Sequence, residues 1–283
     1  MPELPEVETM RRGITPIVGS CIEGMRRPRS KLRPIAIEPP LAKFRRRIAG
    51  RMIVAVGRAG KRVLVELDSG DRIVIEPRMT GRVLLREPPN SSHLRVVFEL
   101  SGGIAPELLF WDSRGLGVVR LVTPEQCAMD LGPAKLGPDA LGISAKELRQ
   151  RMSTSRRAIK VALLDQKVLA GVGNLYASEL LHRARLHPAV SCNRLRPADW
   201  QRVHAAMQEV LREGLAHQGS TLADGTYRTV QDEAGRYQDQ HRVYQRDGQA
   251  CRQCGRSKIM RIVQAQRSTF FCPNCQRVRR SFP

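Results

Sequence analysis

The sequence predicts an α+β protein with several domains, because three regions of the 283-residue chain differ in pattern. Short apolar segments bounded by turn residues fill much of the first half, helical spacing of apolar residues follows from residue 144, and two Cys-x-x-Cys pairs stand near the end. We therefore expect an N-terminal antiparallel β-sandwich with an N-terminal helix (1–135), a helical domain (136–235) and a four-cysteine zinc finger built on a β-hairpin (236–283).

The β-sandwich is predicted from strands that follow one another closely. Arg62–Leu67 and Arg72–Glu76 flank a polar turn and predict a hairpin. Further strands are predicted at Arg82–Leu85, Leu94–Leu100, Leu108–Trp111 and Gly117–Val122. The chain opens differently, since Glu6–Val18 spaces its apolar residues as a helix does.

The helical domain is predicted to begin at Ser144–Glu147, a Ser-x-x-Glu sequence of the kind that caps a helix. Further helices are predicted at Arg157–Leu169, at Asn174–Leu186 and onward from Pro197. Loops rich in glycine and proline at 131–138 separate this domain from the sandwich. The polar stretch 219–240 has no clear element of its own, which is typical of a functional or a disordered loop.

The charge of the chain indicates its partner. The chain has 48 lysines and arginines against 27 aspartates and glutamates, so the formal net charge is +21, more than solubility requires. Such a surface favours a polyanion, and the phosphate backbone of DNA is the usual one. No segment resembles a secretory signal or reaches the roughly 18–20 apolar residues of a membrane span. We therefore expect a soluble cytoplasmic or nucleoid-associated protein.

Four of the seven cysteines predict a metal site. Two Cys-x-x-Cys pairs, with seventeen residues between them, are formed by Cys251, Cys254, Cys272 and Cys275. This spacing predicts a tetrahedral site for one structural Zn²⁺, because four thiolates leave no position for a catalytic water. Disulfides or a redox motif are the alternatives, and an odd number of cysteines in a reducing compartment disfavours them. Buried positions without a role are expected for Cys21, Cys127 and Cys192.

A β-hairpin is predicted between the two cysteine pairs. Met260–Val263 and Thr269–Phe271 predict its strands, and Gln264–Ser268 its tip. A cationic Arg267 at the tip of a metal-held hairpin suits a contact with DNA. A solvent-facing turn explains the same residues equally well.

The first residues, Met1-Pro-Glu-Leu-Pro-Glu-Val-Glu-Thr9, could carry chemistry. A small second residue permits removal of Met1, which would give Pro2 a free secondary amine. An α-amino group has a pKa near ~8, so part of it is unprotonated at neutral pH and can form a Schiff base with an electrophilic carbon. Glu3 beside it could act as a general acid. Taken alone, such a start is weak evidence, because most Pro-Glu starts have no catalytic role.

Three motifs occur in order along nearly the whole chain. They are Pro2–Glu8, Gly171–Glu179 (Gly-Val-Gly-Asn-Leu-Tyr-Ala-Ser-Glu) and Gln266–Thr269 inside the four-cysteine module. Together they resemble the formamidopyrimidine-DNA glycosylase family, which includes endonuclease VIII, in its opening motif, its helix–two-turn–helix element and its zinc finger. The resemblance implies a monomeric base excision repair enzyme that acts on damaged double-stranded DNA and holds one structural Zn²⁺.

The resemblance implies a catalytic role for three residues. Pro2 would attack C1′ of the damaged nucleoside, Glu3 would protonate the sugar ring oxygen, and Lys61 would contact phosphate and assist catalysis. Elimination from the Schiff base would then cut the strand on both sides of the lesion. The enzyme would thus be a glycosylase and a DNA-(apurinic or apyrimidinic site) lyase. Glu6 would support the site and the fold.

Contacts with the DNA backbone are also implied by the resemblance. Asn174 and Arg267 would hold phosphates that flank the lesion, and the glycine turn before Asn174 offers backbone N–H groups to an anion. His93 lies near a family position that meets the DNA backbone, although a lone histidine is more often structural. Lys160 and the arginines at 156 and 157 could form a phosphate-facing patch or a solvated basic face.

An enzyme that reaches a stacked base must flip it out of the helix and fill the gap. Met79 matches the family's inserted methionine, and Arg114, within Asp112–Gly117, matches the arginine that reads the orphaned base. Leu116 replaces the family's aromatic wedge and Gly115 its second arginine. Leucine can still act as a wedge, but the preference for the opposite base is left open.

Three functions compete at this point. A bifunctional glycosylase and lyase for 8-oxoguanine and formamidopyrimidines is favoured, because the Leu4-Pro5 start and Asp232–Tyr237, in a stretch resembling the family's lesion-sensing loop, are typical of the purine branch. An oxidised-pyrimidine glycosylase of the endonuclease VIII branch is the nearest alternative. A non-catalytic zinc-containing DNA-binding protein is the third, and the presence of all three expected catalytic residues disfavours it.

Overall fold

The computed structural model describes residues 2–222 and 225–277. The chain forms two compact units. The first comprises the described residues of Met1–Gly132 and Gly214–Gln238, and the second those of Pro133–Glu213 and Asp239–Pro283. Among the described residues, no helix combines the length and the apolar character needed to cross a membrane.

The first unit is built on one nine-stranded sheet. Its strands in chain order are β1 (Cys21–Arg26), β2 (Ala36–Glu38), β3 (Arg51–Ala59), β4 (Arg62–Leu67), β5 (Arg72–Glu76), β6 (Gly81–Leu84), β7 (Leu94–Ser101), β8 (Glu107–Asp112) and β9 (Val118–Val122). Across the sheet the order is β2-β9-β5-β4-β3-β1-β7-β8-β6. Neighbouring strands are antiparallel, except that β2 and β9 pair in parallel at one edge.

Two halves of this sheet share one core, which gives the predicted sandwich. The halves meet where β1 and β3 are joined by the pairs Cys21↔Met52 and Ile22↔Arg51. A single buried cluster draws apolar side chains from both halves, including Val65, Ile73, Val96, Phe98 and Phe110. Burial of such side chains is the main stabilising contribution to a fold of this kind.

A helix, α1 (Leu4–Ile14), opens the chain, and a short 3₁₀-helix (Thr15–Ile17) continues it. The helix begins two residues before the predicted start, because Pro5 lies in the first turn, where its nitrogen needs no partner. Pro16 ends the regular α-helix, since a proline ring clashes with the carbonyl four residues earlier. The apolar face of α1 joins the sandwich core through Val7, Met10 and Ile14.

The strands predicted from residue 62 to residue 122 lie within one residue of their predicted ends. The structure also has elements that the patterns did not predict, namely β1, β2, β3, α2 (Leu41–Ile48) and α3 (Pro124–Leu131). Most side chains of β3 are only half-buried, so apolar and polar residues do not alternate clearly along its sequence. Helix α2 carries three successive arginines and buries only Phe44 and Ile48, so its apolar stripe is narrow.

Within the described residues, four α-helices follow from residue 145. They are α4 (Ala145–Met152), α5 (Ile159–Leu163), α6 (Asn174–Arg183) and α7 (Pro197–Ala216). The Ser144 hydroxyl accepts a hydrogen bond from the Glu147 N–H at 3.2 Å, as the capping sequence predicts. Helix α5 is much shorter than the predicted Arg157–Leu169. It ends early because polar side chains bond the following backbone: Gln166 Nε2 donates to the Leu164 carbonyl at 3.1 Å, and Asp165 Oδ1 accepts the Lys167 N–H at 3.0 Å.

The C-terminal hairpin pairs β10 (Met260–Gln264) with β11 (Arg267–Phe271). Its turn is the two residues Ala265 and Gln266, with φ of 46° and 60°. Two successive left-handed residues are typical of the type I′ turn, whose twist suits a two-residue hairpin. The tip is therefore shorter than the predicted Gln264–Ser268.

Candidate functional site

The expected catalytic residues at the start of the chain lie inside the first unit. Pro2 is buried, and Glu3, at the N-cap of α1, is 4% exposed. The carboxylate of Glu6, 3% exposed, accepts the Glu3 N–H through Oε2 at 2.9 Å. The backbone at Glu3 is thus fixed by a charged acceptor one helical turn along the chain.

Glu6 also fastens a distant segment of the same unit. Its Oε1 accepts the Ser220 N–H at 2.9 Å. The preceding Gly219 has φ of 81°, and a Cβ there would lie 2.8 Å from Cγ and Oε1 of Glu6. Only glycine fits this close approach without strain. Nearby, burial, together with the negative charge of Glu6, raises the pKa of Tyr227, whose hydroxyl donates to the Gln218 carbonyl at 2.9 Å.

Lys61 lies in the two-residue turn between β3 and β4, after Gly60, whose φ is 56°. The expected strand lysine is thus a half-buried turn residue. Two residues before this turn, Arg58 donates from Nε to Glu8 of α1 at 3.1 Å, which ties the hairpin to the helix. Burial acts to raise the pKa of Glu8, but hydrogen bonds from Arg11, Arg12 and Arg58 outweigh it, so the pKa is lowered and the carboxylate is ionised at neutral pH.

Two loops that carry expected base-flipping residues are joined by a buried carboxylate. Asp112 is fully buried and bonds the Thr80 hydroxyl next to Met79. Its Oδ1 accepts the Arg114 N–H at 3.2 Å, and its Oδ2 accepts the Gly117 N–H at 2.7 Å. The loop of Arg114 and the turn of Met79 therefore form one hydrogen-bonded assembly.

The side chains expected to enter the duplex are accessible. Arg114 is exposed, Leu116 is 46% exposed and Met79 is half-buried. Between the first two, Gly115 has φ of 65°, and a Cβ there would lie 3.1 Å from the Arg33 carbonyl oxygen and 3.5 Å from Arg95 Nη2. Gly115, which the resemblance aligns with a second arginine of the family, thus has a left-handed backbone conformation that favours glycine.

The side chain of His93 contacts neighbouring residues of the first unit. Its Nδ1 lies 2.9 Å from Asn90 Oδ1, and its ring packs edge-on against Trp111 with centroids 5.4 Å apart. The Trp111 Nε1–H in turn donates to the Asn90 carbonyl at 3.0 Å. The side chain is half-buried, so part of it can meet a ligand while the ring supports the 90–93 turn.

The stretch expected to sense the lesion is held by an arginine that the sequence did not reveal. Arg82, 5% exposed, donates to the carbonyls of Gly225 and Thr226 at 2.6 and 2.9 Å and to Asp232 Oδ1 at 3.1 Å. Its guanidinium also lies 4.8 Å from the centre of the Trp111 ring. The described residues of this stretch are therefore anchored to β6.

In the second unit, a side-chain amide shapes the glycine turn before α6. Gln166 Oε1 accepts the Gly171 N–H at 2.9 Å, and its Nε2 donates to the Val172 carbonyl at 2.8 Å. Gly171 has φ of 104°, a backbone conformation that favours glycine. Helix α6 starts at Asn174 directly after this turn, and the N-terminal end of a helix attracts anions.

Lys160 does not belong to a solvent-facing basic patch, which corrects that expectation. It is fully buried, and its ammonium donates to Asn174 Oδ1 at 2.8 Å, to the Ser268 carbonyl at 3.0 Å and to Thr269 Oγ1 at 2.6 Å. Three oxygen acceptors satisfy the ammonium, so the side chain can be buried without leaving its charge unpaired. The exposed members of the predicted patch are the neighbouring arginines at 156 and 157.

Lys160 joins two residues expected to hold phosphates. Asn174, oriented by Lys160, donates from Nδ2 to the Ser268 carbonyl at 3.0 Å. Arg267 is the residue before Ser268, stands first in β11 and is exposed. The helix start and the hairpin are therefore fixed to each other within the second unit, with Asn174 and Arg267 on adjoining segments.

The four cysteines form a compact cluster that fits zinc. The sulfur atoms of Cys251, Cys254, Cys272 and Cys275 lie within 4.8 Å of one another. Two of the separations are 3.7 and 3.9 Å, and a tetrahedron with Zn–S bonds of about 2.3 Å has sulfur atoms roughly 3.8 Å apart. The donor set and its size thus suit one structural Zn²⁺.

Two residues of α6 contact the chain around this cluster, and neither was predicted. The buried carboxylate of Glu179 accepts three successive backbone N–H groups, those of residues 242, 243 and 244, at 2.8–3.0 Å. His182 Nε2 lies 3.6 Å from Cys251 Sγ. In the sequence, Glu179 and His182 look like ordinary polar residues of a helix, so the spacing of apolar residues does not predict their contacts around the cluster.

The remaining cysteines differ in burial. Cys127 and Cys192 are buried as expected, and burial raises the pKa of the Cys192 thiol to about 11. Cys21 is half-buried in β1, which departs from the expectation.

Three family sequence models match this chain. They are described as "Formamidopyrimidine-DNA glycosylase N-terminal domain", "Formamidopyrimidine-DNA glycosylase H2TH domain" and "Zinc finger found in FPG and IleRS", and they match residues 1–119, 136–225 and 248–278. Matches in this order agree with the positions of the buried chain start, the helix preceded by a glycine turn and the cysteine cluster.

Known proteins resemble the chain over almost all its length. The formamidopyrimidine-DNA glycosylase of Chloroflexus aurantiacus is 40% identical and that of Heliobacterium modesticaldum 39% identical, and each alignment covers 98% of this chain and at least 98% of the relative. A solved Lactococcus lactis FPG mutant in complex with a Fapy-dG containing DNA is 29% identical, has a TM-score of 0.86 and covers 98% of this chain and 100% of its own. The chain therefore belongs to the formamidopyrimidine-DNA glycosylase family, the DNA glycosylases of base excision repair.

Proposed function

We propose that the protein is a bifunctional DNA glycosylase and lyase that removes oxidised purines, such as 8-oxoguanine and formamidopyrimidines, from duplex DNA. The observation that carries the proposal is the fixed position of the chain start. Pro2 and Glu3 are buried together, and Glu6 bonds both Glu3 and Ser220. Such preorganisation lets a nucleophile and an acid act on a bound nucleotide without a search for the right geometry.

The reaction begins at Pro2 after removal of Met1. The secondary amine attacks C1′ of the damaged nucleoside, the bond to the base breaks, and the base leaves with the bonding electrons and takes up the proton that the amine gives up. Glu3 gives a proton to the sugar ring oxygen, so the ring opens and an iminium forms between Pro2 and C1′. The resulting iminium acidifies the proton at C2′, and loss of the 3′ and then the 5′ phosphate cuts the strand twice.

Binding to DNA relies on side chains that contact phosphates. Lys61 contacts a phosphate near the reacting sugar, and Asn174 and Arg267 hold flanking phosphates. His93 adds a further backbone contact from its half-buried ring. Lys160 contributes as the buried anchor of Asn174 rather than through a phosphate of its own. These contacts fix position and orientation, and they carry no sequence information.

The flipped nucleotide leaves a gap that three side chains fill. Met79 and Leu116 are the apolar wedges, and Arg114 bonds the orphaned base. Asp112 supports this assembly through its bonds to Thr80 and to the Arg114 N–H. The described residues of 221–240, which Arg82 holds at residues 225, 226 and 232, form the loop that meets the extruded base.

The zinc site has a supporting role in this proposal. Cys251, Cys254, Cys272 and Cys275 would fill the coordination shell of a bound Zn²⁺, which would then supply no catalytic water and would help to keep the hairpin of Arg267 folded. The three-part division at 1–135, 136–235 and 236–283 is retained as a functional division, with catalysis, the helix–two-turn–helix element and the zinc finger. The protein acts as a monomer in the cytoplasm, on nucleoid DNA.

The proposal is tested with a panel of otherwise identical duplexes. The panel contains 8-oxoguanine, a formamidopyrimidine, an oxidised pyrimidine or a bare abasic site, and single-turnover incision is measured with labels on both strand ends. We expect the two purine lesions to be cut fastest and to leave phosphates at both ends of a one-nucleotide gap.

Other outcomes separate the alternatives. Faster cutting of the oxidised pyrimidine would place the protein in the endonuclease VIII branch. Base release without strand cutting would remove the lyase assignment. Salt-sensitive binding with no base release from any lesion would leave a non-catalytic zinc-containing DNA-binding protein.

A further inference from the structure

His182 stands directly against the cysteine cluster, although it is not one of the four clustered ligands. It is fully buried on α6, and its Nε2 lies 3.6 Å from the sulfur of Cys251, which is 1% exposed. The contact crosses from the helical region to the zinc module, sixty-nine residues further along the chain. A donor from outside the module can thus act on a metal ligand.

The direction of this hydrogen bond follows from the chemistry of the site. A cysteine that binds zinc is a thiolate and has no proton to give. The proton between Nε2 and Sγ must therefore belong to the histidine. Its other nitrogen, Nδ1, is buried and has no hydrogen-bond partner among the described residues, which suits a neutral ring protonated at Nε2 alone.

The charge of a filled site favours the same arrangement. Zinc with four thiolates carries a formal charge of about −2, and a buried charge needs compensation. An Nε2–H that points at the Cys251 sulfur, 3.6 Å away, offsets part of this charge.

We propose that His182 is a positioning residue for the zinc site, donating an Nε2–H···S hydrogen bond to the Cys251 thiolate and thereby stabilising bound Zn²⁺. Groups that bond the ligands of a metal commonly change its affinity by about 10–100-fold. Inside the module, the Cys275 N–H lies 3.4 Å from Cys272 Sγ and makes a comparable contact. His182 supplies the corresponding donor for Cys251 from α6.

The contact of His182 with Cys251 also links the zinc site to α6. Three residues along α6 bond the C-terminal region: Asn174 at its start, Glu179 in its middle and His182 in its last turn. Zinc retention is therefore linked to the helix whose start is proposed to hold a phosphate. The inference about zinc does not depend on the reaction that the enzyme catalyses.

The test compares three variants of the full-length zinc-loaded protein. His182→Phe keeps a ring but has no donor, and His182→Gln places an N–H near the position of Nε2. His204→Phe is the control, because His204 is in the same unit and bonds the Ile143 carbonyl at 2.9 Å rather than a cysteine. The measured quantity is the rate at which zinc passes to a colorimetric chelator under native conditions.

We expect His182→Phe to release zinc about 10–100-fold faster than the wild type. His182→Gln should stay within a few-fold of the wild type, and His204→Phe should be unchanged. If His182→Phe releases zinc no faster than His204→Phe, the histidine merely fills space and the proposal fails.

A second measurement uses the unmutated protein, so it is informative even if His182→Phe does not fold. Zinc is replaced by ¹¹³Cd, and the ring proton of His182 is observed by NMR. We expect a proton on Nε2 with a scalar coupling to the metal through the Cys251 sulfur. A ring protonated on Nδ1, or an Nε2 proton without such coupling, would overturn the assignment.

Discussion

Replacing Glu6 by glutamine tests how the start of the chain is held. The carboxylate accepts the Glu3 N–H through one oxygen and the Ser220 N–H through the other, each at 2.9 Å. Glutamine keeps the size of the side chain but only one acceptor oxygen, and its NH₂ group must face the other N–H. One buried donor therefore loses its acceptor in Glu6→Gln.

The magnitude follows from that single loss. A buried N–H without an acceptor costs about 1–3 kcal/mol, which lowers the melting temperature of a domain of this size by roughly 2–12 °C. A displacement of the reacting group by about 1 Å costs up to about 100-fold in rate. We thus expect slower single-turnover incision as well as a lower melting temperature.

The assay combines thermal unfolding with single-turnover incision of an 8-oxoguanine duplex. Glu147→Gln is the matched control, because the Glu147 side chain is 41% exposed and, within the described part of the chain, forms an ion pair with Arg151 one turn away, a pair worth about 0.3–0.5 kcal/mol. Wild-type stability and rate in Glu6→Gln would refute the reasoning, since the two bonds would then contribute nothing.

Three further predictions concern DNA recognition and acid stability. Arg267→Ala should weaken binding to all duplexes alike and reduce the slope of log affinity against log salt by about 1, measured by fluorescence anisotropy. Arg114→Ala should reduce the preference for cytosine opposite the lesion by about 1–3 kcal/mol, whereas an unchanged ratio of rates would show that this arginine does not read the orphaned base. The pKa of Glu8 is lowered on folding, so its stabilising contribution is present above the unfolded value of 4.5 and is lost as pH falls through the folded value. The melting temperature should therefore fall less steeply in Glu8→Gln than in the wild type when the pH is lowered below 4.5.

Much of the architecture could be predicted because local patterns determine it. The hairpin at Arg62–Glu76 has clear strands and a polar turn, and the structure has both strands as predicted. The cysteine spacing predicted a zinc site, and the sulfur atoms lie together. The start of α6 at Asn174 could be predicted because a turn that contains two glycines comes directly before the helix.

The polar contacts of the site could not be predicted in the same way. Arg82 meets Asp232 across 150 residues of sequence, and Lys160 meets Thr269 across 109. A charged residue looks like a surface residue in a hydrophobic pattern, so the pattern cannot indicate that Lys160 is fully buried. The extent of α5 also depended on side-chain bonds made by Gln166, which helix spacing does not reveal.

The central claim is that Pro2 is the nucleophile, and borohydride trapping tests it most directly. A labelled duplex with one 8-oxoguanine opposite cytosine is incubated with the protein and borohydride, and the covalently attached residue is identified by mass spectrometry. We expect one reduced adduct, on the amine of Pro2 in a chain from which Met1 has been removed. An adduct on Lys61 or another lysine, or base release and strand cutting without any adduct, would contradict it.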